Sequence, residues 1–291
     1  LSDVLKKHPE LFPTVYTEMI AAGETSGQLE DALMQVEIQM KKTRELVSSI
    51  RGAMIYPIVV VFAMTVVGIL MVTVVLPKLL VLFKEFDTEL PLATRILIAI
   101  TDFLANPVNL TLVLGGGIAF IVTFVVLLKK VYSFKRAIHN MNLHLPIFGN
   151  VIKNINLARF SLTLSSLLKS AIPIIDAMRI TAKTCSNVRY REEITKTKED
   201  LEKGVPISEI LQKNDFLFPP IVTEMIMVGE RSGEVGDLLT EIANFYGDQV
   251  DKTMKNFSTI IEPVIILVLG VAVAGIAMAV VMPMYSLVQG F

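Results

Sequence analysis

Long stretches without charge alternate with amphipathic helical segments along this 291-residue chain. No Asp, Glu, Lys or Arg lies between Arg51 and Lys78, between Asp102 and Lys129, or after Glu262. An apolar helix needs about 20 residues to cross a bilayer, and each stretch provides that length. The pattern therefore predicts three transmembrane helices. They occupy residues 52–76, 108–128 and 260–285.

Basic residues indicate how these predicted spans are oriented. They precede the first span, follow the second and precede the third: Lys41, Lys42, Arg44, Arg51, Lys129, Lys130, Lys135, Arg136, Lys252 and Lys255. Because cytoplasmic flanks carry an excess of Lys and Arg, we expect a multi-pass protein of the cytoplasmic (inner) membrane. Residues 1–51 and 129–259 then lie in the cytoplasm, and the 77–107 connection lies outside.

The two ends of the chain repeat each other at a constant offset. The segment "TEMIAAGETSGQLEDAL" at 17–33 returns as "TEMIMVGERSGEVGDLL" at 223–239, and "LFP" at 11–13 returns at 217–219. The same offset pairs four prolines, which we interpret as markers of the membrane helix boundaries: Pro57 with Pro263, and Pro77 with Pro283. The repeating unit is therefore a helical domain joined to a transmembrane helix.

These elements predict an all-α integral membrane protein with two homologous six-helix-bundle domains. Leu157, Phe160, Leu164 and Leu167 form an apolar helix face in the second domain, residues 129–259. Residues 1–51 lack any equivalent of 151–206. We therefore expect them to be the C-terminal part of a truncated first domain.

The repeated G-E-x-S-G segment is a candidate turn between two antiparallel helices. An apolar stripe stops at Gly23, so we expect the helix to end there, with Thr25 or Ser26 capping the next helix. A turn does not require the glutamates, which leaves contact with a partner or an ion as the alternative. The candidate residues are Gly23, Glu24, Ser26, Gly27, Gly229, Glu230, Ser232 and Gly233.

The composition provides little material for catalysis. The chain has three histidines and one cysteine, and it contains no HExxH, CxxC, GxSxG or phosphate-binding loop. We therefore predict no catalytic, cofactor-binding or metal-binding residues, no cofactor and no enzyme activity. Because 27 basic residues stand against 28 acidic ones, nucleic acid is not an expected partner.

Two membrane functions remain as distant alternatives. A transporter normally places charged groups within its spans, and these spans have none. A receptor needs a sizeable outside domain, whereas the outside connection here has only about 30 residues by the span boundaries predicted from hydropathy.

Taken together, the motifs resemble those of the inner-membrane platform proteins of type IV pilus assembly and type II secretion, the PilC/GspF family. The similarity rests on the paired "LFP…GExSG" segments, each leading into a "YP" or "EP" membrane helix, and on "LPIFGNVIKNINLARFSLTLSSLLKSAIPI" and "VVMPMYSLVQ". The chain departs from the usual pattern at Arg231, and at Ile172, where a glycine often stands.

The resemblance implies a non-enzymatic scaffold. Its implied partners are a hexameric assembly ATPase, a pilin or pseudopilin, other inner-membrane assembly components, membrane lipid, and further copies of itself as a dimer or larger homo-oligomer. Pilus assembly is the expected system, and type II secretion is the alternative.

Overall fold

The architecture is helical throughout the part of the chain that can be described. The computed structural model describes residues 1–75, 106–146 and 148–289, and the single positions 95, 99, 101 and 103. No β-strand occurs in these ranges. The helices, numbered in chain order, are α1 Ser2–Leu5, α2 Thr14–Ser26, α3 Leu29–Leu70 (followed by a π-helical turn, Met71–Val75), α4 Pro107–Lys130, α5 Tyr132–His144, α6 Phe148–Lys169, α7 Ile174–Thr184, α8 Val188–Glu202, α9 Ile207–Gln212, α10 Pro220–Ser232 and α11 Val235–Gln289.

The chain divides into two compact units. One unit contains Leu1–Arg51 and Val131–Met254, and the other contains Gly52–Lys130 and Lys255–Phe291. Among the described residues, three helical stretches are long and apolar enough to cross a membrane: Leu29–Leu70, Thr111–Lys130 and Val235–Gly275. The predicted all-α fold with three membrane helices is therefore confirmed, while most of the predicted 77–107 connection lies outside the described residues.

Three of the four paired prolines lie inside helices rather than at helix ends. Helix α3 runs through Pro57, and α11 runs through Pro263 and Pro283. Each such proline removes one hydrogen bond to the residue four positions earlier, but a long apolar helix can absorb that local loss. Whether these prolines lie at the edges of the bilayer stays a prediction, and Pro77 lies outside the described residues.

Helix α6 is the centre of the unit outside the predicted spans. Its predicted apolar face is confirmed, because Leu157, Phe160, Leu164 and Leu167 are all fully buried. The Phe218 ring packs edge-to-face against two others. Its centroid lies 5.3 Å from that of Phe160 and 5.5 Å from that of Tyr190 on α8. The second repeat is thereby held by the helices that precede it.

The first repeat packs on another side of α6 through polar side chains. Gln39 of α3 is buried, donates to the Thr163 hydroxyl at 3.3 Å and accepts from the Ser166 hydroxyl at 2.8 Å. Ser165 between them donates to the Gly236 carbonyl of α11 at 2.6 Å. Helix α6 therefore contacts both long helices, and the two repeats share one compact unit.

The repeats differ in how well their matching apolar residues are covered. Leu217 and Leu239 of the second repeat are 1% and 0% exposed. Their first-repeat counterparts, Leu11 and Leu33, are 74% and 44% exposed. The difference arises because α6 to α8 cover the second repeat, and residues 1–51 contain no equivalent helices.

The turn after α6 contains the one non-glycine residue with a positive φ in the described chain, Ala171, at 56°. The amide of Ile172 donates to the Leu167 carbonyl at 3.1 Å, and that of Ala171 donates to the Leu168 carbonyl at 3.0 Å. These two bonds define a Schellman motif, whose left-handed position favours glycine. The position whose backbone favours glycine is thus Ala171, whereas Ile172 is a buried apolar contact after the turn.

We expect Ala171→Gly to raise the free energy of unfolding by about 1 kcal/mol, because glycine has no Cβ to strain in the left-handed conformation. Thermal unfolding of the detergent-solubilised protein, followed by circular dichroism, would measure the change. Gly204→Ala is the matched control, since Gly204 ends α8 in the same motif at φ 81° with open space around it, and it should shift the midpoint downward. A lower midpoint for Ala171→Gly would contradict this account.

Candidate functional site in the repeated turn

Each G-E-x-S-G segment is the last turn of a helix and the start of a sharp reversal. Helix α2 continues to Ser26 and α10 continues to Ser232, each followed by a left-handed glycine, Gly27 at φ 72° and Gly233 at φ 79°. The prediction that α2 ends at Gly23 is therefore wrong by three residues. The Gly23 carbonyl instead accepts the amide of Gln28 at 2.9 Å, which closes the turn from inside the helix.

The first glycine of each motif is required by a close helix approach. A Cβ added to Gly23 would lie 2.3 Å from the Ala32 Cβ, and one added to Gly229 would lie 2.8 Å from the Val235 Cα. Real side chains do not reach such distances, so the following helix packs directly on the glycine backbone. Each motif thus fixes how α3 or α11 leaves the preceding helix.

The glutamates bind the amino-terminal ends of short helices. Glu230 accepts the amides of Ile207 at 2.5 Å and Ser208 at 3.3 Å, and it also accepts the Ser208 hydroxyl. The amides at the start of a helix lack intrahelical acceptors and carry partial positive charge, so a carboxylate is a favourable partner. The carboxylate therefore fastens α9 to α10 within the second repeat.

Glu24 repeats this arrangement in the first repeat. It accepts hydrogen bonds from the Ser2 amide at 3.0 Å, from the Ser2 hydroxyl and from the backbone nitrogen of Leu1. Ser2 and Ser208 stand at the repeat offset in the sequence. This match was the one sequence feature that pointed to them as partners of the two glutamates.

The serines make weaker local contacts. Ser26 and Ser232 donate to the carbonyls of Gly23 and Gly229, each at 3.4 Å, and Thr25 donates to the Ala21 carbonyl at 2.8 Å. The expectation that Thr25 or Ser26 caps α3 is wrong, because these hydroxyls bond back to their own helix. Ser232 additionally accepts the Glu234 amide at 3.3 Å.

The polar groups of these turns form hydrogen bonds within the chain. Both carboxylate oxygens of Glu230 accept hydrogen bonds from the chain itself. An open cleft of about 610 Å³ borders the second turn, with Lys169 paired to Asp237 at 2.8 Å on its wall. Among the described residues no group of three His, Cys, Asp or Glu could hold a metal ion. Contact of the turns with a partner stays a prediction.

The fold and these turns define a class: an all-α membrane protein in which a helical unit and a membrane-capable helix occur twice. The family model for "Type II secretion system (T2SS), protein F" matches residues 1–77 and 160–283, so it covers both repeats and ends at the paired prolines each time. The chain belongs to this family.

Relatives with assigned names come from two related systems. The type IV pilus assembly protein PilC of Pseudomonas aeruginosa is 32% identical over 287 residues, covering 99% of this chain and 76% of the relative. The PilC protein of Thermus thermophilus is 33% identical over 99% of this chain and 70% of its own length. The type II secretion system protein F of Vibrio cholerae is 31% identical over 99% of this chain and 70% of its own length.

We expect Gly229→Ala to lower the free energy of unfolding by about 1–3 kcal/mol, because the new methyl group would push α11 away from α10. The control is Gly247→Ala, since Gly247 lies inside α11 with no atom within 4 Å of an added Cβ. That change should stabilise the protein by about 0.5–1 kcal/mol through helix propensity. Thermal unfolding of both variants would measure these two changes in stability. If both variants were stabilised, or both destabilised, the close helix approach would be excluded as the reason for Gly229.

We expect Glu230→Gln to destabilise the protein by about 1–2 kcal/mol, because one oxygen acceptor becomes an amide donor that faces the donors of α9. Glu241→Gln removes the same charge from an exposed position on α11 and should have little effect. Hydrogen exchange at residues 207–212 would locate the loss. Equal exchange in the two variants would show that the carboxylate does not hold α9.

Proposed function

We propose that this protein is an inner-membrane platform protein that acts as a scaffold in type IV pilus assembly and carries out no catalysis itself. The observation that carries the proposal is the repeat itself. In each copy, one continuous helix starts after the repeated turn and runs on into an apolar segment that could cross a membrane. Family membership supports it, since the relatives are named for pilus assembly and for type II secretion.

The alternative is the equivalent role in a type II secretion system. Relatives from both systems match at similar identity, 29–33% for the pilus proteins and 29–31% for the secretion proteins. We favour the pilus system because the spans and the terminal segment resemble, as a whole, those of the pilus platform proteins. A neighbouring gene for a pilin, or for a set of pseudopilins, would separate the two.

We further propose that residues 1–51 and 129–259 lie in the cytoplasm, where they engage a hexameric assembly ATPase. The basic residues that flank the spans support this side. The membrane helices would then contact pilin subunits and other copies of the platform within the bilayer. Because both repeats enter the membrane, each platform would offer the ATPase two points of coupling.

The continuity of α3 suggests how motion passes between these parts. One helix extends from Leu29 in the repeated turn to Leu70 in the apolar region, and α11 extends in the same way from Val235. A continuous helix resists bending far better than a loop does, so displacement at the turn would reach the membrane segment. The proposed coupling depends on each helix continuing without a loop from the turn into the membrane segment.

Replacing Arg44 and Glu45 with Gly-Pro should abolish surface pili while the variant still co-purifies with the assembly ATPase. Both positions are exposed, so the change breaks the ladder without removing a core side chain. Electron microscopy of cells and affinity purification from membranes would measure the two properties.

The matched control replaces the same two residues with Ala-Ala, which removes the same charges and keeps the helix. It should assemble pili at the wild-type level. Normal piliation by the Gly-Pro variant would exclude coupling through α3, and failure of the wild-type protein to retain the ATPase would exclude the platform role.

A further inference from the structure

The part of the protein just beyond α4 contains an open, basic cleft. Helix α4 ends at Lys130 and α5 begins at Tyr132, so a single residue, Val131, separates the predicted span from the next helix. Consecutive Cα atoms are 3.8 Å apart, which keeps the Tyr132 backbone within about 8 Å of the end of α4. The headgroup layer extends roughly 5–8 Å beyond the hydrocarbon core on each side. The cleft therefore starts at headgroup depth.

The cleft is formed by residues from two helices. It has a volume of about 410 Å³ and is lined by Tyr132, Ser133, Arg136, Ala137 and Asn140 of α5 and by Arg189 of α8. Tyr132 is 59% exposed, and an exposed tyrosine at the end of a span is typical of the membrane interface.

One carboxylate organises the cations of the cleft. Arg136 Nε lies 3.1 Å from Glu192 Oε1, and Arg189 Nη1 lies 3.8 Å from Glu192 Oε2. The Tyr132 hydroxyl donates to the same carboxylate at 2.7 Å. Because Glu192 is only 19% exposed while Arg136 is 50% exposed, the carboxylate lies behind the guanidinium groups. Two guanidinium groups against one carboxylate give the opening a net positive charge.

Basic residues beside a span do not by themselves make a site, since the positive-inside rule places them at most cytoplasmic helix ends. At the other two flanks the basic residues lie on one helix each, Lys41 to Arg51 on α3 and Lys252 with Lys255 on α11. In the 129–136 flank a guanidinium from a distant helix, Arg189, joins them in one cleft.

We infer that this cleft binds the phosphate of an acidic phospholipid headgroup. Guanidinium groups match phosphate geometry through paired N–H donors, and the Ser133 hydroxyl provides a neutral donor beside them. Lys129 and Lys130 at the end of α4 and Lys135 on α5 add positive charge that attracts anionic lipid.

The experiment uses the full chain purified in a neutral detergent. Native mass spectrometry would count bound lipid while dioleoylphosphatidylglycerol, dioleoylphosphatidylcholine or inorganic phosphate is added in separate titrations. We expect retained phosphatidylglycerol, little phosphatidylcholine, and no protection from thermal unfolding by inorganic phosphate at the same concentration. Equal retention of the two lipids would overturn the proposal, and full protection by inorganic phosphate would reassign the cleft to a soluble anion.

Two variants connect the binding to the cleft. The double variant Arg136→Gln with Arg189→Gln should weaken phosphatidylglycerol binding about 25-fold, from roughly fivefold for each cation near the lipid surface. Glu192→Gln should strengthen binding, because the competing carboxylate charge is removed. If the ion pairs served only the fold, both the arginine double variant and Glu192→Gln would bind lipid more weakly. Stronger binding by Glu192→Gln therefore distinguishes lipid binding from a structural role.

Arg179→Gln is the matched control. Arg179 is an exposed arginine that pairs with an acidic residue three positions earlier, Asp176 at 2.9 Å, and it lies outside the cleft. It should bind phosphatidylglycerol as the wild type does. Wild-type binding by the Arg136/Arg189 double variant, or an equal loss in the Arg179 variant, would overturn the assignment.

Discussion

The hydrogen bonds between Gln39 and the hydroxyls of Thr163 and Ser166 join the two repeats. Gln39 is 4% exposed, so leaving its amide without partners would cost about 1–3 kcal/mol for each unsatisfied group. The contact lies on α6, which also hydrogen-bonds to α11 through Ser165. One central helix therefore contacts both long helices inside the bundle.

The repeated turn is the second constraint, and it acts locally. Its first glycine lets the next helix pack against the backbone, and its last glycine reverses the chain in a left-handed conformation. The glutamate ties the turn to a short helix that lies more than twenty residues earlier. Together they explain why this polar segment precedes both apolar helices, since each long helix needs a defined exit from the bundle. A carboxylate used in this way also has less capacity to bind an external ion.

Some of the fold could be read from the sequence because the signals were large. Uncharged stretches of more than twenty residues and a repeat that aligns without gaps leave few alternatives. Gly23 was misread because a glycine after an apolar stripe normally ends a helix, whereas here it serves a close approach that becomes visible only when Ala32 is placed. Ala171 gave no signal at all, because alanine does not indicate a left-handed turn. The polar face of α6 was also hidden, since Thr163, Ser165 and Ser166 look like solvent-facing residues until two helices are packed against them.

The continuity of α3 has a geometric consequence. Its 42 residues span about 63 Å at 1.5 Å per residue, roughly twice the thickness of the hydrocarbon core. In the proposed coupling such an element would convert rotation into translation: a tilt of about 10° moves a point 30 Å along the axis by about 5 Å, close to one helical pitch. Pro57 lies within this helix, and sharp bends in long helices concentrate at proline. In the proposed coupling a bend at Pro57 would be the pivot of this lever, and the amplitude delivered to the bilayer would depend on where along the helix that residue stands.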